Sequence, residues 1–446
     1  MTDSTLGRVL LTLRGVQWIL GTKGDPYALL LRAAGDDRAE LGRRVRERGP
    51  LYWSSAEAWV TADHTVVAAA LADARLTPRP PGTGAPPGVP DGEPAPWDVP
   101  ALGEALPLAG LPAALDREEY ERLRAVSAPV LGGPALRRRL GPAVRAYRHR
   151  ASAVGECFDL MDDVVRPATV DASRVLLGVP EDRAERFAEL CGDLAGVFDA
   201  TLCPPRLDTA RRYRAALPEL LSLLAESAGA KEPRRTRGTE ATQATRETRE
   251  KPGTPGSPGP LGILGAPEDV LTLSALLALV GADAAATLTG NAVALLLDHP
   301  DQWRALCEDP GLAPAAVAET LRHSPPVRLH RLYARQDLDL AGTRVPRGEE
   351  VVLLTEAAGH DPRRHEDPDR FDVHRPAHDR HALPEDGHAG ALVGPAVRLA
   401  AEAALRALAA EIPGLTRNGE VLRRLRSPLT GGLFRFPAAR QGNVRR

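Results

Sequence analysis

A mainly α-helical fold with a minor β part is predicted for this 446-residue chain. Three observations predict it. Many segments repeat apolar residues at intervals of three and four, the spacing that gathers them on one helix face. Strand signals are few and short. One apolar run, Val270 to Leu297, is far longer than any strand.

In chain order, the helical spacing covers Thr65 to Leu76, Glu118 to Leu131, Pro134 to Ala151, Pro180 to Leu202, Asp208 to Ala225, Val270 to Asp298, Ala313 to Arg322 and Pro395 to Ile412. Leu10 to Leu20 reads as an amphipathic helix docked on its own domain. Trp59-Val60-Thr61 reads as a strand, and Asp337 to Leu340 with a Gly342 turn and Val351 to Leu354 reads as a hairpin or small meander. Thr77 to Pro100 holds nine prolines in 24 residues and reads as a stiff extended loop. Glu226 to Pro260 contains no Val, Ile, Leu, Met or aromatic residue, cannot bury apolar surface, and is expected to be a disordered insert in a single domain spanning 1–446.

Composition excludes several classes of function. The 57 basic and 59 acidic side chains nearly cancel, so no extended field would attract nucleic acid or an acidic membrane surface. Nearly all the basic residues are Arg, with Lys only at 23, 231 and 251. Four cysteines in so long a chain do not make a secreted disulfide framework, and a reduced cytoplasm is expected. The apolar run 270–297 could be taken for a membrane span, but Asp283 at its centre would be costly in lipid; a buried central helix fits better.

Chemistry-bearing motifs lie in the second half. Glu319 and Arg322 are three apart on one helix face. His360-Asp361-Pro362 follows, then Asp367-Pro368-Asp369-Arg370-Phe371-Asp372, then an amphipathic helix after a Gly/His/Asp loop. In this order the motifs resemble the cytochrome P450 superfamily of haem-thiolate monooxygenases. The resemblance implies that Glu319, Arg322 and Arg370 form its structural triad, and that Gly281 and Asp283 are the Gly-acid pair of its oxygen-binding helix. Asp25-Pro26-Tyr27, Arg124 and Ser427-Pro428-Leu429 also fit the pattern.

The departures from that pattern carry more functional weight. A haem-thiolate enzyme needs one Cys on iron. Aligning Pro395 and Arg398 with the family's Pro and Arg puts Ala391 at the ligand position, and no Cys follows Cys307. The start of the glycine-rich ligand loop is Pro384-Glu385. The proton-delivery pair after Asp283 is Ala284-Ala285, and the propionate-contacting His is Tyr120. The resemblance therefore implies a non-catalytic member with no cofactor. His378 and His381 in a His-rich stretch are read as solvated rather than metal-binding. Arg423, Arg424 and Arg426 are read as a solvated strand face.

The N-terminal pattern Leu6-Gly7-Arg8, Arg14-Gly15, Trp18, Gly21 and Gly24 to Tyr27 is similar to one small branch: the haem-free auxiliary proteins paired with deoxysugar glycosyltransferases in macrolide and anthracycline biosynthesis. That implies a glycosyltransferase partner, with Arg8, Arg14 and Trp18 as contact candidates, and no membrane or nucleic-acid partner. The alternatives are a monooxygenase with a non-Cys haem ligand such as His388, and a haem-free enzyme using the emptied pocket.

Overall fold

A computed structural model describes residues 2–78, 102–106, 115, 117–227, 261, 266–379 and 389–440. Most of the expected insert, the proline-rich loop and the glycine-rich stretch with Pro384, Glu385 and His388 lie outside these. The described residues are mostly helical, with four small sheets.

The N-terminal helix Asp3–Thr22 starts from a Thr2 side chain that accepts from the Thr5 amide. It buries Leu6, Val9 and Leu10. The next helix, Pro26–Arg32, explains the Asp-Pro-Tyr motif. Asp25 caps it by accepting from the Tyr27 and Ala28 amides, takes the Ser54 hydroxyl at 2.7 Å, and pairs with Arg48. A proline just inside and an Asp just outside are what a helix start favours.

The long apolar run forms Pro267–Asp298, the one described helix long and apolar enough to cross a membrane, and 78% of its most apolar window is buried in the fold. Leu288, Val293 and Leu296 have no exposure. Each such side chain contributes about 1.5–3 kcal/mol on leaving water. Five residues in its middle, Leu277–Gly281, wind as a π-turn in which the Ala282 amide reaches Leu277. The C-terminal helix Ala389–Glu411 packs against this helix and against Gly133–Ala153.

Several expectations are corrected. The helix expected over 180–202 is broken into a turn at Glu181–Arg183, the helix Ala184–Asp193 and a turn at Asp199–Thr201, because Gly196 sits at φ +80°, off the helical path. The C-terminal helix begins six residues before Pro395. That ring removes only one amide bond, while Leu392 and Val393 become buried. The helix Leu207–Ser227 runs past the expected start of the insert at Glu226. Helices at Arg166–Leu177 and Pro300–Glu308 had not been expected, although each carries a proline in its first turn.

The strands pair differently from the expected hairpin. Leu338–Leu340 folds back on Thr343–Val345, because Ala341 and Gly342 both take positive φ (53° and 75°), the tight turn that matches strand twist. Glu350–Leu353 pairs instead with His330–Ala334, antiparallel, and with Trp59–Thr61, parallel. With Tyr52–Trp53 and Leu76–Thr77 at its edges this makes a five-stranded sheet.

Candidate functional site

Glu319 and Arg322, on the helix Ala313–His323, form a fork-to-fork pair: Arg322 Nε to Oε2 at 3.0 Å and a terminal nitrogen to Oε1 at 2.7 Å. Both side chains are essentially unexposed. The third member is Arg375, whose Nε lies 3.1 Å from Glu319 Oε1. This corrects the expectation for Arg370, whose side chain is 63% exposed. Arg370 supplies only its carbonyl, which accepts from Arg322 and Arg375. Asp367 at φ 48° begins a turn in which the Arg370 amide closes onto the Asp367 carbonyl. The next turn brings Arg375 inward, where it also pairs with Asp379 at 3.0 Å. Glu319 and Asp379 are shared among Arg322, Arg375 and Arg364, which pairs with Asp379 at 3.2 Å, and the spare donors of Arg322 end on the Gly359 and Pro368 carbonyls.

In the family this chain resembles, the cofactor lies between the Gly-acid stretch of the central helix and the start of the C-terminal helix. Here those two surfaces come close together. A Cβ added to Gly281 would meet Val393 Cβ at 3.8 Å, ordinary van der Waals contact, and Val393 is 1% exposed. A flat group held between two carbon surfaces needs about twice the 3.5–4.0 Å contact distance. The backbone of Ala391 belongs to the first turn of the same helix. Three of the four cysteines are poor thiolate sources: burial pushes the Cys191 thiol up to about 12 and the Cys203 and Cys307 thiols up to about 11. The residues present therefore do not fit a haem.

Asp283, the acid of the pair, is taken up by Arg424 at 2.8 and 3.1 Å, each side chain less than a fifth exposed. Arg423 donates to Asn291 on the central helix and to the Gly431 carbonyl. Arg424 turns inward, correcting the solvated-face expectation there, while Arg423 stays exposed on its strand as expected. The cause lies in the Ser-Pro segment after them. Buried Asp199 takes the Ser427 hydroxyl at 2.7 Å and the Leu429 and Thr430 amides at 2.8 and 2.9 Å, which anchors the connection between Leu422–Arg423 and Leu433–Arg435. Asp199 had not been singled out from the sequence, and Arg424 had been read there only as part of a solvated face. The run Arg423 to Pro428 was the available signal.

The remaining candidates separate. Ala284 is partly buried, and Ala285 and Tyr120 are buried in the main core. Arg124 pairs with Glu121 on its own helix at 2.7 Å. Arg14 turns back to the Pro205 carbonyl at 2.6 Å, and nearby Gln17 donates to the Leu202 carbonyl, so both fasten the N-terminal helix to its own fold. Arg8 is exposed and Trp18 is 55% exposed, with the Arg32 guanidinium 4.9 Å from its ring. His365, expected to be solvated, is buried and pairs with Asp379; His360 pairs with Asp369. His381 and His388 lie outside the described residues.

A P450-type fold is the class that this geometry defines, and comparison with known proteins agrees with it. Residues 308–390 match the cytochrome P450 family, a match that ends immediately before Ala391. The ligand-free structure of Mycobacterium smegmatis CYP164A2 superposes with a TM-score of 0.73 at 26% identity, covering 93% of this chain and 99% of that one. AknT of Streptomyces galilaeus is 41% identical over 98% of this chain and 96% of its own length. The cytochrome P450 family protein EryCII of Saccharopolyspora erythraea is 31% identical over 97% of each. The chain belongs to the cytochrome P450 family.

Proposed function

We propose that this protein is a haem-free, non-catalytic auxiliary protein that binds a partner glycosyltransferase in the cytoplasm, stabilises it and raises its transfer of a nucleotide-activated aminodeoxysugar in antibiotic biosynthesis. The observation that supports the non-catalytic reading is Ala391 where a thiolate would be needed, together with the close approach of Val393 to Gly281. A fold kept intact around a closed cofactor cleft has its surface left as its working part. The full-length likeness to AknT supports the same branch.

The N-terminal helix supplies the contact face in this proposal. Leu11, Trp18 and Ile19 are exposed by 64, 55 and 63%, and their spacing of seven and eight residues sets them in one stripe. An exposed apolar stripe on a soluble chain is what a partner would cover. Activation follows if the auxiliary protein binds the competent conformer of the transferase more tightly than the others, since a binder shifts an equilibrium only by that difference.

The test is sugar transfer by the transferase, with and without this protein, under anaerobic conditions. Activation should saturate at a fixed stoichiometry and need no reductant, oxygen or haem. Equal rates, or a requirement for oxygen and an electron donor, would end this reading in favour of a monooxygenase.

A further inference from the structure

A second cleft, of about 410 Å³, lies between the helix Arg38–Glu47, the end of Ala313–His323 and the turn Thr355–Ala358. It is far from neutral. Arg38, Arg43, Arg46 and Arg328 line it against Glu356 and Asp369. Four guanidiniums against two carboxylates leave the lining itself an excess of two positive charges with the histidines neutral, and Arg43 is also paired with Glu40. The volume is within the range of small-molecule sites.

The decisive residue is Arg328. It is 5% exposed, its guanidinium makes no hydrogen bond among the described residues, and its buried Nε faces only Glu356 Oε1, beyond close hydrogen-bond distance. Its one ion pair is with Glu356 at 3.4 Å, and Arg38 already shares that carboxylate at 3.1 Å. Burial would raise the Glu356 carboxyl, but the two facing guanidiniums outweigh it and hold the group at about 2. Glu356 is therefore one ionised acceptor divided between two cations. Gly431, at φ 57°, keeps the space open: a Cβ there would collide with the Arg328 guanidinium carbon. Buried guanidiniums ordinarily have their fork of donors matched, and this one does not.

We propose that the cleft is a binding site for a small phosphate-bearing molecule, whose phosphoryl oxygens take the terminal guanidinium donors of Arg328 while Arg46 and Arg43 face its outer side. A phosphoryl group carries about −1.5 to −2 at neutral pH and so matches the excess charge of the lining. Planar guanidinium forks pair two-to-two with its oxygens. The site lies outside the closed cofactor cleft, and the proposal does not depend on the auxiliary role.

Inorganic pyrophosphate titrated into the full-length protein by calorimetry, with phosphorus NMR as a second readout, tests it. Saturable one-site binding is expected, with a rise in melting temperature. Arg46→Gln should weaken it about ten- to a hundred-fold, the loss of a hydrogen bond to a charged group. The exposed Arg43→Gln should weaken it less and leave the fold unchanged. Acetate at matched ionic strength should not compete. Arg328→Met should abolish binding while the protein still melts cooperatively. Absence of saturable binding, equal binding by the Arg46 and Arg43 variants and the parent, or full displacement by acetate would overturn the proposal.

Discussion

The ion network around Glu319 and the cleft between the central and C-terminal helices belong to the same inherited fold, but they have fared differently. In the network every charge is paired, each carboxylate with a guanidinium and each spare donor with a carbonyl. In the cleft, Val393 lies close to Gly281, and Asp283 pairs with Arg424. The difference teaches what holds a site in place. A buried ion network is part of folding, because removing one member strands the others without water. A cofactor surface stabilises nothing once its ligand is lost, so apolar contact and a new ion pair can fill it.

The contrast can be broken most directly at Glu319. Glu319→Ala leaves Arg322 and Arg375 facing each other without their shared acceptor. A loss of about 3–5 kcal/mol is expected in denaturant unfolding. A loss below about 1 kcal/mol would show that the network is dispensable.

Arg424→Ala should cost less, about 2 kcal/mol, since it leaves a mostly buried carboxylate short of its charged partner. Combining it with Asp283→Ala should recover part of the loss, and a double-mutant cycle measures the coupling. Additive effects would mean that the pair does not close the cleft. On the cofactor side, Val393→Ala removes contact with the central helix and should cost about 1–3 kcal/mol, while Ala391→Cys alone should acquire no haem. A stoichiometric Soret band from Ala391→Cys grown with haem would show that the closure is not real.

The histidines give a pH test. Burial depresses His323 and His64 from 6.5 to about 4. Both are neutral in folded and unfolded chains above pH 6.5, so they impose no penalty there. Between about 6.5 and 4 the unfolded chain binds protons that the folded chain refuses, and stability should fall. His323→Gln should flatten that part of a stability–pH profile; an unchanged slope would count against the burial argument.

The smallest stability effect is expected at Trp18. Trp18→Ala should stay within about 0.5 kcal/mol of the parent, as surface substitutions do, while weakening activation of the transferase. If stability drops instead and activation is untouched, the exposed stripe packs on its own chain.

Much of this was written locally. Intervals of three and four residues on a helix are set by 3.6 residues per turn, so the periodicity of 313–322 and 270–298 already implied their helices and put Glu319 beside Arg322. Residue chemistry needs no coordinates either: with no Cys after 307, no thiolate can stand ahead of the C-terminal helix. What the sequence left open were partners chosen across the chain. Arg375 rather than Arg370 meets Glu319 over 56 residues, and Arg424 reaches Asp283 over 141. Each choice depends on how intervening turns aim a side chain. The left-handed residue at Asp367 and the Asp199 anchor on Ser427 decide those directions, and neither leaves a periodic trace. For the same reason the closure of Val393 onto Gly281 was invisible in either segment alone. It exists only where two helices, each predictable from its own spacing, are packed together by the core around them.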